Sequence, residues 1–409
     1  MNEEPNSPVL FTPGRIGPLT IRNRSIRAAA NEGMCPGNNP SKDLLNYHRS
    51  VAVGGVGMTT IAYASVLKSG LSFPHQLWLR PEVIDGLRKI TDAIHKEGAA
   101  ISIQVGHCGL MSDRAVSGSR PIAPSRLINL YGPTFPRKMR EDEIHEVIRS
   151  FGTAVEYSRQ AGFDAVEIHA GHGYLISQFL SPYTNHRRDQ WGGSFENRTR
   201  FLREVMREVK KAAKHDVAVL VKMNLRDGFA KGIQLNEAIE IAKMLESEGA
   251  DALILSGGFT SKSPMYVMKG RMPVHIMAHG IKNPLLKLAV NLFGGFLMKP
   301  EPFKEAFFLE DALQVRKAVN LPLVYVGGLI SREKIEQVLA SGFEFVSFAR
   351  ALINDPEFIN KLKSGQIDRS ECNHANYCIA VMYTGQMACY QHVPDLPDKW
   401  RKKFDNPTE

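Results

Sequence analysis

Short runs rich in β-branched residues recur along this chain, each apolar enough to be buried on both faces. They span residues 24–29, 57–62, 100–104, 164–168, 217–222, 251–255, 323–326 and 343–348. Runs of this kind are strands of a parallel sheet covered by crossover helices. The segments between most of them carry the period of an amphipathic helix. Residues 137–161 place Ile144, Val147, Ile148, Phe151 and Val155 on one stripe, and a further helix is expected over 198–214, just past the acidic Glu196. Eight alternations predict an α/β fold closed as a (β/α)8 TIM barrel, with an N-terminal β-hairpin. An open doubly wound sheet is the competing architecture. No Gly-x-Gly-x-x-Gly turn follows the first strand, which disfavours its dinucleotide-binding form. The expected organisation is a barrel over residues 1–365 and a cysteine-containing segment with a tail over 366–409.

In such a barrel the functional residues sit at the C-terminal ends of the strands and in the loops that follow. Gln104 ends the third strand, His169 follows the fourth, Lys222 ends the fifth, and Gly327 and Gly328 follow the seventh. The connection after the sixth strand, about 259–321, is far longer than a loop plus one helix. Its stretch Ile276 to Met298 is apolar but interrupted by Gly and Pro, too short and broken to span a bilayer. It is expected to cover the barrel mouth as a lid in preference to contacting a membrane surface or a partner.

Composition narrows the class. With 409 residues, 43% hydrophobic and 23% charged, the chain is an ordinary globular one, and no apolar run approaches the ~20 residues of a membrane span. The opening MNEEPNSPVL has no apolar core of a secretory signal, so a cytoplasmic location is expected. A net charge of +9 suits an anionic ligand. No basic run is interleaved with aromatics, so nucleic acid is not expected as a partner.

The densest chemistry is Glu167-Ile-His-Ala-Gly-His-Gly-Tyr174. Two imidazoles, His169 and His172, can donate hydrogen bonds together to one oxygen and stabilise charge building on a carbonyl, while Tyr174 can act as a general acid. Zinc ligation is the weaker alternative, because no third ligand lies nearby. The loop from Leu180 to Phe201 is polar and Arg-rich. It is scaffold, with Gly192 and Gly193 permitting a tight turn and Ser194 capping the next helix. Gly327, Gly328, Ala349 and Arg350 form the phosphate corner common in barrels. Gln104 and Lys222 can address the edge of a planar heterocycle.

Taken together, IRNRSIRAAANEG, GGVGMTTIAYASV, ISIQVGHCG, AGFDAVEIHAGHGYL, LSPYTNHRRDQWGGSFENRTRF, VLVKMN, VYVGG and VSFAR resemble the Old Yellow Enzyme family of FMN-dependent ene-reductases, above all the barrel domain of its 2,4-dienoyl-CoA reductase branch. The resemblance runs from Leu10 to Cys389. It implies FMN at the barrel mouth, reduced by NADPH or NADH and passing hydride to the C=C bond of an α,β-unsaturated carbonyl or enoyl thioester. It further implies that His169 and His172 hold the substrate oxygen, Tyr174 protonates carbon, and Gln104 and Lys222 contact the flavin ring. Gly327, Gly328, Ala349 and Arg350 would hold the phosphate, and Ala29, Ala30, Asn31 and Ala62 would line the flavin. Asn31 stands where many members carry Thr or Cys.

The segment Cys372, Cys378 and Cys389 is similar to the four-cysteine [4Fe-4S] segment of that branch, but Ala375 occupies a ligand position and three thiolates are an incomplete set. Loss of the cluster is the preferred reading, with the segment kept as packing. Rival functions are an oxidative flavin-dependent amine dehydrogenase or demethylase, and a flavin-binding protein without turnover. The implied substrate is a small-molecule enone or enoyl-CoA, and homo-oligomerisation is left open.

Overall fold

The structure, a computed structural model, describes residues 8–129, 134–279, 281, 283–382 and 385–405. Eight strands, β1 (Ser25–Arg27), β2 (Met58–Ser65), β3 (Ala100–Gly106), β4 (Ala165–Ala170), β5 (Ala218–Asn224), β6 (Ala252–Ser256), β7 (Leu323–Val326) and β8 (Phe345–Phe348), pair in chain order. All pairs are parallel, and β8 joins β1 to close the barrel. The crossover helices are α1 (Lys42–Val53), α2 (Ile84–Lys96), α3 (Glu141–Gln160), α4 (Phe195–Ala213) and α5 (Leu235–Ser247). In the insert lie α6 (Val274–His279) and α7 (Pro284–Leu297). The remaining crossovers are α8 (Leu309–Arg316), α9 (Arg332–Ala340) and α10 (Phe358–Ser364), and α11 (Asp398–Asp405) ends the described chain. The expected (β/α)8 architecture is the observed one.

Alternation along each strand divides the core in two. Val166, Ile168 and Ala170 face outward into the layer shared with the helices. Ala165 faces inward with Ile26, Met58, Ala218, Leu220, Ala252, Ile254, Val324 and Phe345, and the hairpin of Gly14–Ile16 with Leu19–Ile21 adds Ile16 and Ile21 to the same apolar plug. The hairpin turns at Gly17, with φ of +53°, where a Cβ would lie 2.7 Å from Asp251 Cγ. Only glycine fits there. Further up the barrel the inward positions become polar: Gln104, Glu167, His169, Lys222, Asn224, Ser256 and Ser347, all buried. Burying that many polar groups is costly unless they are bonded or needed. The change from apolar to polar along the same face therefore marks the functional end.

Two helix boundaries differ from expectation for local reasons. Helix α3 starts at Glu141 because Arg137 and Lys138 pair instead with Ile122 and Ala123, while Glu143 accepts from the Arg140 backbone N–H at 2.9 Å. Helix α4 starts at Phe195 because Ser194 accepts from the Asn197 backbone N–H at 3.2 Å, one residue after Gly193 at φ +85°. The preceding loop is internally bonded, as its composition suggested. Arg187 grips Asp189 through two bonds of 2.9 and 2.7 Å, and Asn185 Nδ2 donates to the carbonyls of Phe179 and Trp191.

The insert departs from the lid expectation. Val267, Met268, Phe307 and Phe308 line the barrel mouth, but no described residue between 276 and 298 does. The apolar stretch forms α7 on the periphery, because Gly294 packs against Val274 of α6 rather than against the barrel. Covering the mouth falls to the flanks of the insert. Among the described residues no helix is long and apolar enough to cross a membrane.

Candidate active site

At the C-terminal mouth the loops border an open cleft whose empty space, open solvent included, is about 950 Å³. Ala28, Ala29 and Ala30 wall one side; His172, Lys222 and Ser256 form the floor; Gly327, Gly328, Ala349 and Arg350 close the other end. Strand register brings the polar floor together. Gln104 lies opposite Glu167 across β3 and β4, and His169 lies opposite Lys222 across β4 and β5. Glu167 Oε1 lies 2.6 Å from Lys222 Nζ and accepts a 2.5 Å hydrogen bond from Gln104 Nε2. One buried carboxylate thus fixes both side chains that the sequence assigned to a heterocycle edge, and balances the ammonium charge.

His172 sits at φ +58° between two glycines. A Cβ at Gly171 would approach Asn224 Oδ1 to 2.7 Å, and one at Gly173 would approach the Phe259 ring to 2.5 Å. The strained loop is pinned by a hydrogen bond of 3.0 Å from the His172 N–H to Asn224 Oδ1, and Asn224 Nδ2 donates to Asp227 Oδ1 and the Gly258 carbonyl, each at 2.8 Å. His172 Nε2 lies 2.8 Å from Ser256 Oγ. Strain held by surrounding bonds is typical of functional loops. The result aims His172 into the cleft.

The three residues of the His-x-x-His-x-Tyr segment form one aromatic cluster. His169 and His172 are 5.1 Å apart between ring centroids, His169 and Tyr174 4.5 Å. Burial, then the Lys222 charge, pulls the His172 imidazole down to about 3, and burial, His172 and Lys222 hold His169 well below its ordinary value. Both rings are therefore neutral near pH 7 and each carries one N–H donor. The Tyr63 ring lies tilted 5.1 Å from that of Tyr174, its hydroxyl against Cys108 Sγ and donating to the Gly70 carbonyl at 3.3 Å. Burial pushes the Tyr63 phenol and the Cys108 thiol up, so both stay protonated.

Behind the alanine wall lies a second buried ion pair. Arg27 Nη1 is 2.7 Å from Glu32 Oε1, His48 Nε2 is 3.3 Å from the same oxygen, and Glu32 accepts from the Ala62 N–H at 3.2 Å. This network ties the loop bearing Ala29, Ala30 and Asn31 to β2.

The residues fit FMN. Arg350 lies within 4.0 Å of no carboxylate among the described residues; its Nη1 donates to Asn376 Oδ1 at 2.8 Å. Burial lowers its pKa, as expected of a guanidinium short of a counter-charge. A Cβ at Gly327 would meet Tyr325 Oη at 2.7 Å and one at Gly328 the Phe303 ring at 2.7 Å. Side chains are thus excluded where a phosphate would meet backbone N–H groups. Ser347 Oγ, Asn31 Nδ2 and His169 Nδ1 are buried without a hydrogen-bond partner, a costly state that a polar cofactor relieves.

Of the expected residues, Ala29, Ala30, His172, Lys222, Gly327, Gly328, Ala349 and Arg350 line the cleft. Ala62 and Tyr174 cluster with Ala29, Tyr63 and Cys108 at its edge, and Gln104 joins through Glu167. Sequence reasoning assigned no role to Glu167, Asn224, Ser256, Tyr63, Arg27 or Glu32. For the first three the signal was available, since period two from His169, Lys222 and Ile254 places them on the inner face. Cys372, Cys378 and Cys389 border a small cavity together with Ala375; it adjoins the cleft, and Arg350 and Cys378 line both. Among the described residues no three His, Cys, Asp or Glu side chains are placed to hold one metal ion.

The profile of the NADH:flavin oxidoreductase / NADH oxidase family matches residues 9–266. The 4,4'-dithiodibutanoate disulfide reductase of Rhodococcus erythropolis is 39% identical over 381 residues, 93% of this chain and 94% of that protein. The NADH oxidase of Thermoanaerobacter brockii is 33% identical over 88% of this chain, which spans 51% of that longer protein. Among solved structures, a 2-naphthoyl-CoA reductase complexed with 2-naphthoyl-CoA superposes with a TM-score of 0.81 at 26% identity, covering 93% of this chain and 56% of that one. Histamine dehydrogenase from Rhizobium sp. 4-9 gives 0.77 at 26% identity, covering 94% and 52%.

Proposed function

This chain belongs to the NADH:flavin oxidoreductase / NADH oxidase family, the Old Yellow Enzyme family, and from that premise we propose that it reduces the C=C bond of an α,β-unsaturated carbonyl or enoyl thioester. It is an FMN-dependent oxidoreductase that uses NAD(P)H. Bound FMN supplies a two-electron carrier between the nicotinamide and the substrate. The overall reaction adds one hydride and one proton to the alkene and oxidises NAD(P)H to NAD(P)+.

The observation that carries the reading is the pair of neutral imidazoles beside a tyrosine. His169 and His172 would donate to the substrate carbonyl oxygen, stabilising the charge that accumulates there as hydride reaches the β-carbon. Neutral donors suit this task, because burial and Lys222 resist a second positive charge in the floor. Tyr174, its ring tilted against His169 at 4.5 Å, would deliver the proton to the α-carbon. Arg350, Gly327 and Gly328 would hold the FMN phosphate, Gln104 and Lys222 the flavin ring edge, and Ala29, Ala30, Asn31 and Ala62 its flank.

Replacement Tyr174→Phe tests this. Anaerobic reduction of the bound flavin by NADPH should persist, while its reoxidation by an enone should slow by about 10²- to 10⁴-fold, the usual worth of a general acid. Undiminished reoxidation would remove Tyr174 from the mechanism. A second reading is favoured by the 39% identical relative, named for reduction of 4,4'-dithiodibutanoate. There the same donors would hold a disulfide acid, and hydride plus proton would give two thiols. Rapid flavin reoxidation by that disulfide, with none by enones or enoyl thioesters, would select it.

A further inference from the structure

Helix α7 is turned inside out. Leu285, Leu288, Leu292 and Phe296 recur at helical spacing and, with Phe293, are 56–77% exposed. The opposite side is the packed one, with Gly294 buried against Val274 of α6. A helix of a globular protein normally directs its apolar arc inward, and a contiguous exposed apolar patch marks an interaction surface.

Charge identifies what covers it. Lys299 lies just beyond the end of α7, while Arg271 and Lys403 (in α11) stand beside the helix across a shallow cavity between α6, α7 and α11; half-buried Lys287 shares the packed side with Gly294. None of Arg271, Lys299 and Lys403 lies within 4.0 Å of a carboxylate among the described residues. The same cavity holds His275, whose Nε2 is buried without a hydrogen-bond partner. An apolar arc with unbalanced cations along one flank and at its C-terminal end, next to an unfilled donor or acceptor, matches the boundary between acyl chains and anionic headgroups.

We propose that α7 docks this protein on the surface of an anionic phospholipid bilayer. The helix would lie in the interface plane with Leu285, Leu288, Leu292, Phe293 and Phe296 in the acyl boundary, and with Arg271, Lys299 and Lys403 on headgroup phosphates. At about 1.5 Å per residue its 14 residues reach about 21 Å, short of the ~30 Å hydrocarbon core.

The test is flotation of the FMN-loaded protein with phosphatidylcholine vesicles that do or do not contain phosphatidylglycerol. Partition onto the anionic vesicles should exceed that onto neutral ones by about tenfold or more and weaken in high salt. The exposed double replacement Leu292→Glu with Phe296→Glu should return it to the neutral level while the bound-flavin spectrum stays unchanged. Lys299→Glu with Lys403→Glu, both exposed, should do the same and guards against misfolding of the first variant. Equal partition onto both vesicles, or none onto either, would overturn the proposal. So would a dimer in solution that Leu292→Glu dissociates, which would identify a second copy as the occupant.

Discussion

Removing the charge of Glu167 while keeping its shape should destabilise the protein through Lys222. In Glu167→Gln the ammonium that sat 2.6 Å from Oε1 stays buried, 3% exposed as a residue, with its counter-charge gone. Breaking a buried pair by neutralising one member costs about 3–5 kcal/mol. The unfolding entropy scales with length, at about 2.1 cal/mol/K per residue. For 409 residues this is about 860 cal/mol/K, so the midpoint should fall by about 3.5–6 °C. Circular dichroism melting at saturating FMN measures it. The companion double variant Glu167→Leu with Lys222→Met removes both charges and should recover most of the loss, because replacing a buried pair with apolar groups is often neutral. A midpoint within about 1 °C of wild type for Glu167→Gln, or a double variant no more stable than the single, would refute the reasoning.

Two further outcomes follow from the same structure. Arg350→Gln removes the uncompensated guanidinium at the glycine corner and should weaken FMN binding by about tenfold to a hundredfold, the worth of a charge-assisted bond, as read by equilibrium dialysis. Unchanged affinity would place the phosphate elsewhere. Burial depresses His107 to about 3, below the ordinary value near 6.5, so in that interval the unfolded chain takes up a proton that the folded chain refuses. Its contribution to stability therefore rises with pH by about 1.4 kcal/mol per unit up to about pH 6.5, and is flat above it. Denaturant titrations at about pH 5 and 6 should show a slope lowered by that amount in His107→Asn; an unchanged slope would contradict it.

The barrel was legible because both-face burial leaves a strand signal that needs no partner information: all eight apolar runs became the eight barrel strands. The glycine corner, the His-x-x-His-x-Tyr segment and the Ser194 cap were legible because each is a local pattern. What escaped was non-local. Glu167 acquires its role only when β3, β4 and β5 come into register and set Gln104 and Lys222 around one oxygen. Asn224 and Ser256 matter only because the His172 loop folds back over β5 and β6, and Arg27 with Glu32 only because the loop after β1 packs on Ala62. The insert misled for the opposite reason. Its hydrophobicity was read as a cover for the mouth, whereas α6 packs against the small face at Gly294 and leaves the large apolar residues outward.

The proposed reaction passes electrons from NAD(P)H through FMN in the cleft to an activated alkene. An anaerobic visible spectrum of the FMN-loaded protein, followed through NADPH addition and then a panel of enones and enoyl-CoA thioesters, tests it directly. The flavin band should bleach with NADPH and return with members of that panel. A band that NADPH cannot bleach, or that none of these alkenes restores, would contradict the account.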